Sequence, residues 1–351
     1  MLSELQSAVD FANQIRFSGD TLLATDFQHA GRSSTLKNLF FSNELSISKE
    51  VTPALYGSLE SVLDRLGVAK DAVEAFVYAS PEINAECYSG DRSECVIRFT
   101  SGLVDILNES EFEFVVGHEL GHFLLSHSIA RMENNNESIE FYMQQRAQEI
   151  SADRLGLIAC DSLDVAIKAL IKTVSGLSEE HLRFDVGSFL SQLRKTTGVS
   201  GQGHQSTHPS ILVRCRALLW FSINDSFIKK SRVYLANEVL DLDSKIQNDL
   251  AKYVDGSARN KIEDAKNNLS MWMAAYEITQ DDKFTKKEQE MFSEMFGKET
   301  LDKLISFLND LSGSEIKGTV FSKVEDAKRE LELLVPSSFE KELESLNRWS
   351  S

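Results

Sequence analysis

Between Glu111 and Ile129 apolar residues occur on every helical face. Phe112, Phe114, Val115, Val116, Leu120, Phe123, Leu124 and Leu125 leave no continuous polar stripe, so the segment reads as a helix enclosed in a core. Elsewhere the pattern is one-sided. Met1–Phe17 reads as an amphipathic helix, and Pro53 opens another that runs through Leu66. Ala75–Ala79 and Cys95–Thr100 read as buried strands, with a turn at Ser89-Gly90-Asp91 between them. The asparagine run 134–136 ends the apolar helix. Further helices follow over 137–159, 162–174 and 184–195, then a polar loop from Thr196 to Thr207. Pro209 restarts a helix through about Phe221, and from residue 236 onward only helices are expected. The expected fold is mainly α (α+β). A small sheet lies beside the apolar helix in a first domain, 1–235, and an all-helical bundle, 236–351, follows. The division rests on where the chemistry-bearing motifs stop.

Composition agrees with a helical reading. The 351 residues include four prolines, where a chain of ordinary composition has roughly 5%. A net charge of −17 argues against a broad nucleic-acid surface, which needs clustered Lys and Arg. None of the four cysteines, Cys87, Cys95, Cys160 and Cys215, forms a C-x-x-C pair. Cys87 and Cys95 could pair across a hairpin, but free buried thiols are expected in a reducing compartment. The first residues lack a basic region followed by an apolar run, and no stretch of 18 apolar residues appears. The expectation is a cytoplasmic chain without an integral membrane segment.

The apolar helix carries His118-Glu119-Leu120-Gly121-His122. Histidines four residues apart differ by about 40° around a helix and share a face, so both can ligate one metal ion. Glu119 is offset by about 100°, unsuited as a ligand from this helix but able to reach a water at the metal. A third histidine ten residues after the first is excluded, because that position is Ser128. The next helix offers Glu149-Ile150-Ser151-Ala152-Asp153. Glu149 can complete a His2Glu site with one open position. Asp153, one turn on, can accept the outer N–H of a ligating histidine. His127, five residues past His122, points to another side of a continuing helix and reads as a surface residue or one behind the ligands.

Together these residues resemble the HtpX, Oma and CAAX-prenyl-protease type of gluzincin metallopeptidase. Ile83-Asn84-Ala85, Ser101-Gly102-Leu103 and Thr207-His208-Pro209-Ser210 with Arg214 also match, so the resemblance covers roughly residues 55–225. It implies a zincin-type domain holding one zinc ion per chain through His118, His122 and Glu149, with Glu119 as general base. It implies that His208 is either a transition-state donor or a plug on the metal, and that Arg214 buttresses the centre or helps hold the oxyanion. It also implies that an extended protein or peptide substrate pairs with the strand Cys95–Thr100 (Val96, Ile97, Arg98, Phe99), near Asn84 and Ala85. Many relatives carry transmembrane helices or a secretory signal, which this chain does not show, so their membrane and prenyl-protein roles do not transfer.

The helical region from Ala274 through Gln289 is similar, over a short span, to the acidic junction of TerB-like bundles, with Lys283 in place of a glycine. An EF-hand is disfavoured, since Lys286 and Phe292 stand where glycine and glutamate belong. The plain reading is a capping box of Thr285 and Glu288. The function expected is zinc-dependent endopeptidase. The alternative is a self-plugged zinc protein that binds partners or acts like a chaperone. The substrate and the oligomeric state are not encoded in any motif.

Overall fold

A computed structural model describes residues 2–20, 33–89, 94–127, 138–183, 185–191, 211–253, 255–281 and 284–347. The chain divides into two compact units: Met1–Glu137 with Tyr142–Gly256, and Ser138–Phe141 with Ser257–Ser351.

In the first unit, α1 (Leu2–Gln14) and α2 (Ser33–Asn43) precede a mixed sheet, and α3 (Pro53–Leu66) lies between its first two strands in the sequence. The sheet holds β1 (Leu45–Ser46), β2 (Val73–Tyr78), β3 (Ala85–Ser89) and β4 (Cys95–Thr100) in the order β1-β2-β4-β3. β4 runs parallel to β2, with Ala75 opposite Ile97, and antiparallel to β3, with Cys87 opposite Ile97. The two expected strands are therefore present. Two were missed, because β1 is only two residues long and β3 buries a single side chain, Cys87. The expected substrate strand needs correction: β4 is paired on both sides, so Val96, Ile97, Arg98 and Phe99 present no free ladder edge. β1 and β3 are the edge strands, and β3 is the one beside β4.

Thr100 caps α4 (Ser101–Ile106), and Asn108 opens α5 (Glu109–Leu124) in a capping box with Glu111. Next come α6 (Ile139–Cys160), α7 (Leu163–Ser175), α8 (Val186–Ser191), α9 (Ile211–Ser222), α10 (Asp225–Ile228) and α11 (Ala236–Tyr253). The apolar helix α5 lies in the main core, with Phe112, Val116, Leu120 and Leu124 at most 2% exposed. The division between units falls one helix later than expected. α11 buries Val239, Leu242, Ile246 and Leu250 in the first unit's cores, and Asp243 pairs there with buried Arg154. An amphipathic pattern identifies a buried face without naming the core that receives it.

The second unit is helical throughout its described residues: α12 (Gly256–Ile278), α13 (Lys286–Phe296), α14 (Lys298–Asn309), α15 (Gly313–Leu334) and α16 (Phe339–Asn347). Leu269, Phe292, Leu304, Val320 and Leu331 are buried in its cores. Thr285 and Glu288 form the capping box expected from the sequence. Residues 282 and 283 of the acidic junction lie outside the described residues. No helix among the described residues is long and apolar enough to cross a membrane.

Candidate metal centre

α5 and α6 meet through small residues. A Cβ on Gly117 would overlap that of Ala159, and one on Gly121 would lie 2.9 Å from the Ala152 Cα. Side chains at these two positions would force the backbones apart. The close approach delivers Glu149 from α6 to the histidines of α5. His118 Nε2 and His122 Nε2 are 3.2 Å apart. Glu149 lies 3.5 Å from the first and 3.6 Å from the second. One ligand atom from each of the three residues falls within 4.8 Å of the others, so the set could hold a metal ion.

The outer nitrogens are occupied. His118 Nδ1 is 3.0 Å from Asp153 Oδ1, and His122 Nδ1 is 2.8 Å from His127 Nδ1. With the Nδ1 atoms protonated by this arrangement, both Nε2 lone pairs and the Glu149 carboxylate converge on one point. Three acceptors facing one another fit a cation, and two imidazoles with a carboxylate fit zinc. Burial, the largest influence on His118, lowers its pKa. The hydrogen bond to Asp153 and the charges of Glu149 and Asp153 outweigh it and hold that pKa above the usual histidine value.

Arg214, from α9, grips Asp153 with Nε at 2.8 Å and Nη2 at 2.5 Å, and its Nη1 lies 3.4 Å from Glu149. Burial alone would raise the Asp153 pKa; Arg214 and His118 bring it down to about 2. All three guanidinium nitrogens face carboxylates, so Arg214 buttresses the ligand helix. That geometry runs against the expectation that it holds an oxyanion. Glu119 is 8% exposed, and burial pushes its carboxyl up to about 7, with Glu149 and Glu86 adding to the rise.

Of its two expected places His127 takes the one behind His122, but by a turn and not by a continuing helix. α5 stops at Leu124 and closes in a Schellman turn: His127 N–H donates to His122 O at 2.8 Å and Ser126 N–H to Phe123 O at 3.1 Å. Ser126 takes the left-handed conformation, φ 56°. The turn folds His127 back under His122, and its side chain is 2% exposed. There His127 Nε2 sits 2.9 Å from Asp20 Oδ2. Burial raises the Asp20 pKa, but His127 and Arg16 outweigh it and hold the carboxyl below its ordinary value. Ser126→Gly relieves the left-handed cost and should stabilise the protein by up to about 1 kcal/mol. Ser126→Val should destabilise it by about 1–3 kcal/mol. Denaturant unfolding of both variants checks this.

Asn84 and Ala85 lie at the entry to β3. Asn84 N–H donates to Thr100 Oγ1 at 3.1 Å. Val96, Ile97 and Phe99 are at most 1% exposed. Arg98 is held by Glu44 and Glu86, with its guanidinium over the Phe40 and Tyr78 rings. All four cysteines are free and buried, and the Cys87 and Cys95 sulfurs are 3.4 Å apart. His208 lies outside the described residues.

Paired histidines on one buried helix, completed by a carboxylate from the next, define the gluzincin arrangement among metallopeptidases. Residues 51–144 and 139–220 match Peptidase family M48, and the chain belongs to that family. It is 33% identical over 132 residues to metalloprotease YcaL of Escherichia coli (strain K12), covering 36% of this chain and 46% of the relative. It is 23% identical over 200 residues to the chloroplastic plastoglobule-localized metallopeptidase 48 of Arabidopsis thaliana, covering 49% and 58%. Protease HtpX of Xanthomonas oryzae pv. oryzae is 29% identical over 128 residues, covering 35% and 44%. The chain thus spans about half the length of the curated relatives it matches. No solved structure matches it.

Proposed function

We propose that the protein is a zinc-dependent endopeptidase that hydrolyses peptide bonds in proteins or peptides. The convergence of His118, His122 and Glu149 beside the buried Glu119 carries this reading, and the metalloprotease names of the relatives support it. His118, His122 and Glu149 would hold one zinc ion, which supplies a Lewis acid that polarises the scissile carbonyl and acidifies water. Glu119, poised near neutrality, takes the attacking water's proton and passes it to the leaving amine. Asp153 and Arg214 keep His118 and Glu149 in place. His208 is assigned the hydrogen bond to the developing oxyanion.

An extended substrate pairs with the outer edge of β3, starting at Asn84 and Ala85. β3 is the edge strand beside β4, and its Glu86 is one of the charges acting on Glu119. The purified protein should carry one zinc per chain by elemental analysis. It should digest casein in a reaction stopped by phenanthroline and restored by added zinc. Casein cleavage indifferent to the chelator, or a folded protein that takes up no zinc, contradicts the reading.

A further inference from the structure

His118 and His122 receive unequal support. His118 rests directly on a carboxylate, Asp153. His122 rests on another histidine, and behind that histidine stands a carboxylate from the far N-terminal segment. We propose that His127 and Asp20 are positioning residues for the metal centre, orienting His122 as Asp153 orients His118. This rests on the metal-binding part of the function proposed above.

The polarity of the chain is consistent from end to end. With His122 Nε2 turned to the metal point, its Nδ1–H donates to His127 Nδ1 at 2.8 Å. That leaves the His127 proton on Nε2, which donates to Asp20 Oδ2 at 2.9 Å. Gln144 Nε2 donates to the other Asp20 oxygen at 3.0 Å, and Arg16 lies 3.7 Å away. The Asp20 side chain is 1% exposed. Burying a carboxylate and an imidazole this deeply is costly without such a chain of partners.

The segment that carries Asp20 is anchored to the ligand helix itself. Phe17 N–H donates to Ser151 Oγ at 3.0 Å, within the stretch that spaces Glu149 from Asp153. Arg154 Nη1 donates to Ile15 O at 2.9 Å, and Ser18 N–H to Asp243 at 2.7 Å. Asp20 N–H closes a turn on Phe17 O at 2.8 Å. The residues that follow α1, from Ile15 to Asp20, therefore fix the carboxylate relative to α6 and α11. Outer partners of this kind are worth roughly 10–100-fold in metal affinity.

The test measures zinc binding by competition with a chromogenic chelator, for wild type, Asp20→Asn, His127→Phe and the double variant. Unfolding of each apoprotein establishes that it is folded. Each single substitution should weaken zinc by about 10–100-fold, and Asp20→Asn should add nothing in the His127→Phe background. Nitrogen-15 NMR of the zinc-loaded wild type, which needs no variant to fold, should find His127 neutral with its proton on Nε2. Unchanged affinities, additive losses, or a His127 proton on Nδ1 would overturn the proposal. If wild type binds zinc tightly and the variants match it, only the positioning role falls. If wild type binds no zinc, the functional reading falls with it.

Discussion

Glu119→Gln should reduce peptide hydrolysis by about 10²–10⁴-fold, the usual worth of a positioned general base, and leave zinc content unchanged. The amide keeps the shape of the carboxyl but cannot take a proton. Glu119 lies outside the converging set of His118, His122 and Glu149, so its loss removes no ligand. Stability should not suffer. Burial already pushes this carboxyl up to about 7, which means that its charged form is disfavoured in the fold. A neutral glutamine avoids that penalty, and the apoprotein should unfold at the same temperature or higher. Steady-state kinetics, elemental analysis and thermal unfolding of one preparation read all three. An active variant would remove Glu119 from the chemistry, and one lacking zinc would make it part of the binding site.

The second large effect is on stability. Arg214→Met should destabilise the first unit by about 3–5 kcal/mol, the cost of leaving a buried charge without its partner. Arg214 faces both Asp153 and Glu149 from a side chain only 10% exposed, and Asp153 is 1% exposed. Arg214→Lys should recover part of the loss, since an ammonium cannot make the two-pronged contact with Asp153. The acid limb of the stability curve should move as well. In wild type the Asp153 pKa is lowered to about 2 from 3.8. That contribution is complete above 3.8 and disappears as pH falls through about 2. Without Arg214 the Asp153 pKa rises, so the contribution is smaller and is exhausted at a higher pH. Urea unfolding of both variants at several pH values measures these shifts.

The metal-binding pattern was readable because it is local. His118, Glu119 and His122 share one helix, and Glu149 and Asp153 lie one turn apart on the next. Helical periodicity alone predicts their faces. The structure brings the histidines and Glu149 together and puts Asp153 behind His118, as that pattern implied. His127 was left between the surface and a place behind the ligands because extrapolation ran past the true helix end. Ser126 occupies the left-handed position where glycine would normally announce a stop. Asp20 was not legible at all. It lies 107 residues from His127, and nothing in its neighbourhood marks a carboxylate bound for the interior. β3 escaped because Glu86 and Tyr88 interrupt its apolar pattern: Glu86 faces Arg98 of β4 and Tyr88 faces Phe40 of α2. The edge role expected for Cys95–Thr100 came from the resemblance, and β3 covers the side that role needs.

Hydrolysis at this centre should place one water oxygen in every new carboxyl. The most direct measurement is mass spectrometry of a peptide mixture incubated with the zinc-loaded protein in water enriched in heavy oxygen. New peptide termini should appear, each new carboxyl carrying one heavy oxygen, and none should form when the metal is chelated. Zinc-loaded protein that yields no new termini, both as wild type and as His208→Ala, would contradict the account and favour a zinc protein that binds its partners without cutting them.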